Sequence, residues 1–220
     1  MVTMMIDARE CTVPDWVKDL RSYLKWMHSD EAPERGRFWW LQGQVWADTE
    51  MEDIFTHNAL KTEFTIVVGG DVRKERTGKF HSDGVLVSNS EADLSGEPDA
   101  TFVSNESMAD GTVRYLEGKR DGYTVLEGSP DMVLEIVSRG SVRKDTVTLR
   151  QAYWEAGVKE YWLVDVRRGA LQFDILRRAA KGFQASRKVD GWMKSSVFDK
   201  SFRLIQMVSG KLPEYTLEVR

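Results

Sequence analysis

Two short runs carry the residues best suited to chemistry. SPDMVLEIVS (129–138) and EPDATFVS (97–104) both open with Pro-Asp and enter an apolar, strand-like stretch. Side chains alternate across a strand, so Asp131, Val133, Glu135 and Val137 share one side while Met132, Leu134 and Ile136 share the other. Buried carboxylates are costly unless paired, hydrogen-bonded or bound to a cation. Two strands that bring Asp99 and Glu135 together would form an oxygen-rich cleft, the ligand type Mg2+ or Mn2+ prefers. A plainer reading competes with this one. Pro-Asp also marks a strand-entry turn whose Asp caps backbone amides, which covers Asp131 and Asp99 but not the mid-strand Glu135.

Other chemistries find less support. His28, His57 and His81 form no His-Glu-x-x-His or His-x-x-His pair, and neither a G-x-S-x-G elbow nor a G-x-x-x-x-G-K-[ST] phosphate loop is present. The adjacent glycines of VVGGDVRK follow a helix, not a strand, unlike a dinucleotide fingerprint. The single cysteine, Cys11, leaves no internal disulfide framework and no Cys-rich zinc site.

The elements that must position the acids follow from periodicity. A first helix is predicted from about Pro14 to Met27, with Trp16, Leu20, Tyr23, Leu24 and Met27 on one face. RFWWLQGQVWAD (37–48) reads as a hairpin around Gly43. A second helix is expected from Glu50 to Val68, announced by Thr49 and Glu52 as a capping box and ended by Gly69-Gly70. Short β-rich runs then follow: KFHSDGVLVSN, DATFVSN, TVRYLEG, YTVLEG and DMVLEIVS. Asp30–Gly36 and Asn89–Glu97 read as loops. A third helix, from Val142 to Ala156, stops at Gly157, and EYWLVDV, LQFDILRR and a hairpin in 182–198 complete the chain. Helix, strands, helix and strand in this order indicate a mixed sheet flanked by helices.

The chain has 220 residues, 41% of them hydrophobic, enough for one sizeable core. Its 31 basic and 35 acidic residues leave a net charge of −4, which disfavours indiscriminate coating of duplex DNA but allows a local basic patch. The start, MVTMMIDARECTVPDW, lacks a basic region followed by an apolar run, and no apolar stretch is long enough to span a bilayer. The expectation is a soluble, cytoplasmic protein.

The run PDMVLEIVSRGSVRKDTVTLRQAYWEAGVKEYWLVDVRRG resembles the Uma-two-type family of candidate bacterial restriction endonucleases, long catalogued as a domain of unknown function. Asp131, Glu135, Ser138, Asp145, Tyr153, Ala156, Gly157, Val158, Glu160, Tyr161, Trp162 and Asp165 carry the resemblance in fixed order. Upstream, MEDIFTHNALKTE resembles that family's first core helix, and DGVLVSNSEADLSGEPDATFVS its central strands. The resemblance implies the PD-(D/E)-x-K nuclease superfamily and an α/β (α+β) restriction-endonuclease-like fold with an αβββαβ core. By the resemblance Asp99 is the Pro-Asp acid, Glu135 the Glu of Glu-x-Lys, and the Ile136 carbonyl a further metal ligand.

Two residues beyond Glu135, where that pattern has lysine, stands Val137. In the family a lysine from the following helix is thought to serve instead, at the place held here by Leu149. Lys144 is the only lysine of that helix, but on a regular helix it lies about 140° around the axis from Leu149. A solvated helix start is the competing account of Arg143 and Lys144. Glu52, His57, Asp131 and Arg150 are supporting candidates, with capping or packing roles as alternatives. Trp39, Trp40, Trp154 and Trp162 are candidates for base stacking or, more simply, core.

The leading expectation is therefore an Mg2+- or Mn2+-dependent endonuclease acting on DNA, with Asp99 and Glu135 at the metal and Lys144 or Arg150 at the attacking water or developing charge. Two alternatives remain open: a nuclease-like nucleic-acid-binding protein without catalysis, favoured by Val137 and Leu149, and a subunit dependent on a protein partner from a mobile-element or defence system. No membrane association is expected, and a homodimer would suit double-strand cleavage. One restriction-endonuclease-like domain is expected over 1–220, with a helical extension at 1–40, a core at 41–180 and a β-hairpin extension at 181–220.

Overall fold

The computed structural model describes residues 2–6, 9–33, 36–48, 51–118, 122–167, 171–209 and 212–220, with side chains for 13–208 and 212–220 among them. Its core begins with one continuous helical run through Ile54–Asn58, Ala59–Phe64, Thr65–Gly69 and Gly70–Glu75, the first and third stretches wound as π turns. Strands Gly78–Ser82, Ala100–Ser104 and Met132–Ile136 follow. A second helix, Lys144–Thr148 in a π turn and then Leu149–Glu155, leads into strand Glu160–Asp165. This is the expected αβββαβ order.

The central sheet runs Gly182–Ala185, Gln172–Ala179, Glu160–Asp165, Met132–Ile136, Ala100–Ser104, Gly78–Ser82. Met132–Ile136 lies parallel to Glu160–Asp165 and antiparallel to Ala100–Ser104. Parallel neighbours require a crossover, which the second helix provides. Both faces of this middle strand are buried. Met132, Leu134 and Ile136 meet Leu60, Phe64 and Val68 of the first helix, while Val133 and Val137 meet Leu149, Ala152 and Tyr153 of the second. The side of the strand that holds Glu135 is thus packed as well, unlike a simple division into one core face and one acid face.

A second sheet, ordered Gln44–Asp48, Arg37–Leu41, Leu94–Gly96, Leu86–Asn89, Tyr123–Gly128, Val113–Glu117, stands beside the first. Its Arg37–Leu41 and Gln44–Asp48 hairpin turns at Gln42 and Gly43, both with positive φ (48° and 79°), the backbone of a type I′ turn. Leu94–Gly96 falls within the expected Asn89–Glu97 loop. Its polar composition hides a strand because Leu94 is the one large apolar residue, yet it is held between Arg37–Leu41 and Leu86–Asn89.

Three further boundaries differ from expectation. The first helix of the chain spans only Leu20–Met27, because Asp19 and Ser22 form a reciprocal capping box there. Leu20, Tyr23 and Trp26 pack on Phe38 and Trp40, and Trp16 is left exposed ahead of it. A hairpin of Val2–Ile6 with Arg9–Val13 precedes this helix. The long helix does not stop at Gly69-Gly70. It passes so close to strand Gly78–Ser82 that a Cβ at Gly69 would lie 3.1 Å from Phe80 Cδ1, so glycine there serves approach; the helix ends at Arg76, φ 57°. The expected cap at Thr49 and start at Glu50 lie outside the described residues, as do positions 34 and 35 of the Asp30–Gly36 loop. The tail is richer in strand than one hairpin. Gly182–Ala185 joins the central sheet, and Lys188–Val189, Trp192–Lys194, Ser201–Ser209 and Leu212–Val219 form a separate antiparallel sheet. Phe202 and Leu217 of that sheet enter the core beneath the long helix.

Gly96 abuts the Trp39 indole, and a Cβ there would overlap the ring. Gly96→Ala is expected to lower stability by about 1–3 kcal/mol through overpacking, read as a fall in Tm; an unchanged Tm would refute this packing.

Candidate active site

Strand pairing sets the two principal acids opposite each other. The antiparallel register runs Met132↔Phe102, Val133↔Thr101, Leu134↔Ala100, so the next positions, Glu135 and Asp99, face one another where the ladder opens. Both are 2% exposed. The Asp99 carboxylate receives four donors. Arg37 Nη1 lies 2.7 Å and Lys61 Nζ 3.2 Å from Oδ1, while the Ile136 amide donates to Oδ2 at 2.7 Å and His57 Nε2 stands 3.3 Å from it. Burial alone would raise its pKa, but the His57 hydrogen bond and the charges of His57, Lys61 and Arg37 prevail and hold it well below the usual carboxylate range.

The long helix delivers the outer half of the site. Asp53 is its cap, accepting from the Phe55 and Thr56 amides at 2.9 Å each. With that task taken, the Glu52 carboxylate turns inward, ion-pairs with Arg37, accepts from Lys61 at 2.6 Å and stands 3.3 Å from His57 Nδ1. His57, Lys61, Phe64 and Val68 form the buried stripe of the same helix. Lys61 also donates to Asp83, 2.8 Å away on the turn after strand Gly78–Ser82.

Glu135 belongs to an inner half. Tyr153 donates to its Oε1 at 2.8 Å. Lys144 Nζ lies 2.6 Å from Asp145 Oδ1 and 3.8 Å from the centre of the Trp39 ring. Burial pushes the Glu135 pKa up, Lys144 opposes it, and Asp145 and Asp99 add to the rise, leaving it at about 8. Burial pushes the Lys144 ammonium down, but Glu135 and then Asp145 outweigh this, and its pKa is raised. Asp145 is raised too, chiefly by burial.

Lys144 reaches this position because the helix begins with a π turn. The Leu149 amide donates to the Lys144 carbonyl five residues back, so the two residues lie nearly above one another, not 140° apart as on a regular α-helix. Lys144 is 6% exposed, so the solvated helix start does not describe it. Val137 and Leu149, the two apolar residues at lysine positions of the nuclease pattern, pack together with Tyr153.

The other predicted positions divide. Glu52, His57 and Asp99 converge; Asp131 and Arg150 do not join them. Asp131 lies four residues before Glu135, about 13 Å along an extended strand. It accepts from the Ser104 amide (2.6 Å), Ser107 Oγ (2.9 Å) and Lys159 (2.5 Å), bracing Ser104, the cap of helix Asn105–Ala109, which accords with the strand-entry reading. Arg150 donates to the Phe183 carbonyl at 2.9 Å. Ile136 contributes its amide to Asp99. Trp39, Trp40 and Trp162 are core, and Trp154 donates to the Ala179 carbonyl. Arg37, Lys61 and Asp83 were missed. Lys61 was readable as the i+4 partner of His57 on one helix face, but nothing local marks Arg37, and Asp83-Gly84 reads as a plain turn.

Glu52, His57 and Asp99 offer ligand atoms all within 4.8 Å of one another, the group among the described residues able to hold a metal ion. His57 is 8% exposed and its Nδ1 is buried without a hydrogen-bond partner, which suits a site prepared for a cation. Two carboxylates accept Mg2+ or Mn2+, and the imidazole favours the transition ion.

The mixed sheet between two helices, with acids at the opening of its central strands, defines a restriction-endonuclease-like fold. A solved structure from Anabaena variabilis ATCC 29413, described as "a putative nuclease belonging to DUF820", shares it with a TM-score of 0.59 at 15% identity, covering 82% of this chain and 90% of that one. Residues 20–197 match the profile of the Uma2 family, described as "Putative restriction endonuclease". The chain belongs to that family. No curated protein matched. Among the described residues no helix is long and apolar enough to cross a membrane.

Glu135 gives a pH signature. Its folded pKa of about 8 lies above the ordinary 4.5, so the folded chain holds a proton that the unfolded chain releases. The resulting stability is complete below about pH 4.5 and is lost as pH rises toward 8. With chelator present, Tm is expected to fall across this window, and Glu135→Gln should flatten the fall. A difference between the two proteins that does not vary with pH would refute this account.

Proposed function

We propose that this protein is a divalent-metal-dependent endonuclease that hydrolyses phosphodiester bonds of DNA. The observation that carries the reading is the pairing of Asp99 with Glu135 across the open end of two central strands, joined by His57 from the long helix and Glu52 from just ahead of its cap. Asp99, Glu52 and His57 would hold Mn2+ or Mg2+, with Glu135 and the Ile136 carbonyl beside them. A bound divalent ion supplies charge neutralisation at the scissile phosphate and lowers the pKa of a bound water.

The chain's own groups supply the rest. Lys144, oriented by Asp145 and the Trp39 face, is the lysine that positions the attacking water or balances developing charge. Tyr153 fixes the orientation of the Glu135 carboxyl. Arg37, with its side chain 21% exposed at the rim and its guanidinium held by Asp99 and Glu52, would add positive charge beside a bound phosphate. Family membership supports a nuclease, and the position of Lys144 supports a complete catalytic set despite Val137 and Leu149.

A second reading, a nucleic-acid-binding protein without catalysis, is favoured by one observation: Asp99 is already surrounded by four protein partners, two through hydrogen bonds and two through ion-pair contacts. Supercoiled plasmid and single-stranded DNA incubated with Mg2+, Mn2+ or EDTA separate the two. Cleavage is expected with metal alone and should fall by roughly a hundredfold or more in Glu135→Ala and Asp99→Asn. A well-folded wild type that cuts nothing, yet binds DNA in a salt-dependent manner, would establish the second reading.

A further inference from the structure

We propose that Lys61 is a built-in counter-cation of the acid cluster, which stands in for a divalent ion and yields to it by moving onto Asp83. The inference rests on the metal-binding reading above and adds a regulator of that same site. Lys61 is 7% exposed, and its ammonium touches three carboxylates: Glu52 at 2.6 Å, Asp83 at 2.8 Å and Asp99 at 3.2 Å. Two of these, Glu52 and Asp99, belong to the metal-binding group.

Donor arithmetic forces a choice. A carboxylate offers about four acceptor positions, and four partners already crowd Asp99: Arg37 and the Ile136 amide by hydrogen bonds, Lys61 and His57 by ion-pair contacts at 3.2 and 3.3 Å. A divalent ion bound through Asp99 must therefore displace one. The Ile136 amide is fixed in the backbone of the central strand. Arg37 reaches Asp99 and Glu52 through separate nitrogens, and both of those partners are in the metal-binding group. His57 is itself a prospective ligand. Lys61 differs from all three, because its remaining partner lies outside that group. Asp83 is on the rim, its side chain 45% exposed, and already in contact. A rotation of the flexible lysine stem opens Asp99 and Glu52 while keeping the ammonium paired.

Charge points the same way. Lys61 and Arg37 already offset most of the charge of Glu52, Asp83 and Asp99, so a divalent ion is accepted more readily as one of these cations withdraws. Lys61 thus weakens metal binding relative to what the acids alone would achieve, and metal and ammonium compete for one place.

The test is Mn2+ binding to the full chain without DNA, measured by calorimetry or by loss of the free-ion EPR signal, with circular dichroism to verify folding. Lys61→Gln is expected to bind Mn2+ on the order of tenfold more tightly than wild type. Asp83→Asn should bind it more weakly, because Lys61 loses its alternative partner, and this effect should vanish in the double variant. Wild-type binding with equal or weaker binding by folded Lys61→Gln would overturn the inference and leave the metal reading standing. Absence of Mn2+ binding by both proteins would overturn the metal reading and this inference with it. Should Lys61→Gln fail to fold, the rim variant Asp83→Asn decides: weaker binding supports the exchange, and unchanged binding overturns it.

Discussion

A buried carboxylate at the open end of the central strand pair organises this molecule. Asp99 is almost wholly removed from water, and an ionised acid in that position must collect its donors from elsewhere in the chain. The four donors come from three stretches: Arg37 from the second sheet, His57 and Lys61 from the long helix, and the Ile136 amide from the neighbouring strand. The second sheet, the helix and the central sheet are thereby tied to one point. Removing any donor leaves part of a buried charge uncompensated, so the outer site and the fold share a constraint.

Glu135 faces a different compensation. Its strand is packed on both sides, and the apolar neighbours Val133 and Val137 drive its pKa upward. Lys144 answers from the start of the second helix, and Tyr153 donates a hydrogen bond from further along it. Adjacent carboxylates therefore sit in opposite electrostatic states, one strongly ionised and one inclined to keep its proton. Environments that separate the pKa values of neighbouring acids are a recurring feature of acid–base sites.

The other buried acids clarify which carboxylates have structural work alone. Glu160, fully buried, accepts from Trp162 Nε1, Ser195 Oγ and both donors of Ser196, and so fastens the segment after Trp192–Lys194 to the central sheet. Asp131 braces Ser104, the cap of a short helix, and holds the Ser107 hydroxyl. Both are satisfied by neutral backbone, indole and hydroxyl donors, with one exposed lysine added at Asp131. The Asp99 cluster instead gathers charged partners and leaves a buried imidazole nitrogen unsatisfied, a costly arrangement for a purely structural role.

The sequence alone determined the order helix, strands, helix, strand, the strand character of the two Pro-Asp runs, and the choice of Asp99 and Glu135 as candidates, while the αβββαβ core was what the family resemblance implied. These follow from local patterns: alternation in strands, helical spacing, and the cost of an acid in an apolar run. It also separated Glu135 from Asp131 in mechanism, since one sits in mid-strand and the other at strand entry. Tertiary structure decided the rest. Glu52 became available because Asp53, not a residue further upstream, caps the helix. Gly69 proved to be a place of close packing, since only the three-dimensional approach to Phe80 gives that glycine its purpose. Lys144 turned inward through a π turn whose hydrogen bonding no residue type announces. Arg37, Lys61 and Asp83 come from separate stretches of the chain and meet only because one buried carboxylate requires them, a long-range electrostatic demand that leaves no local periodicity to read.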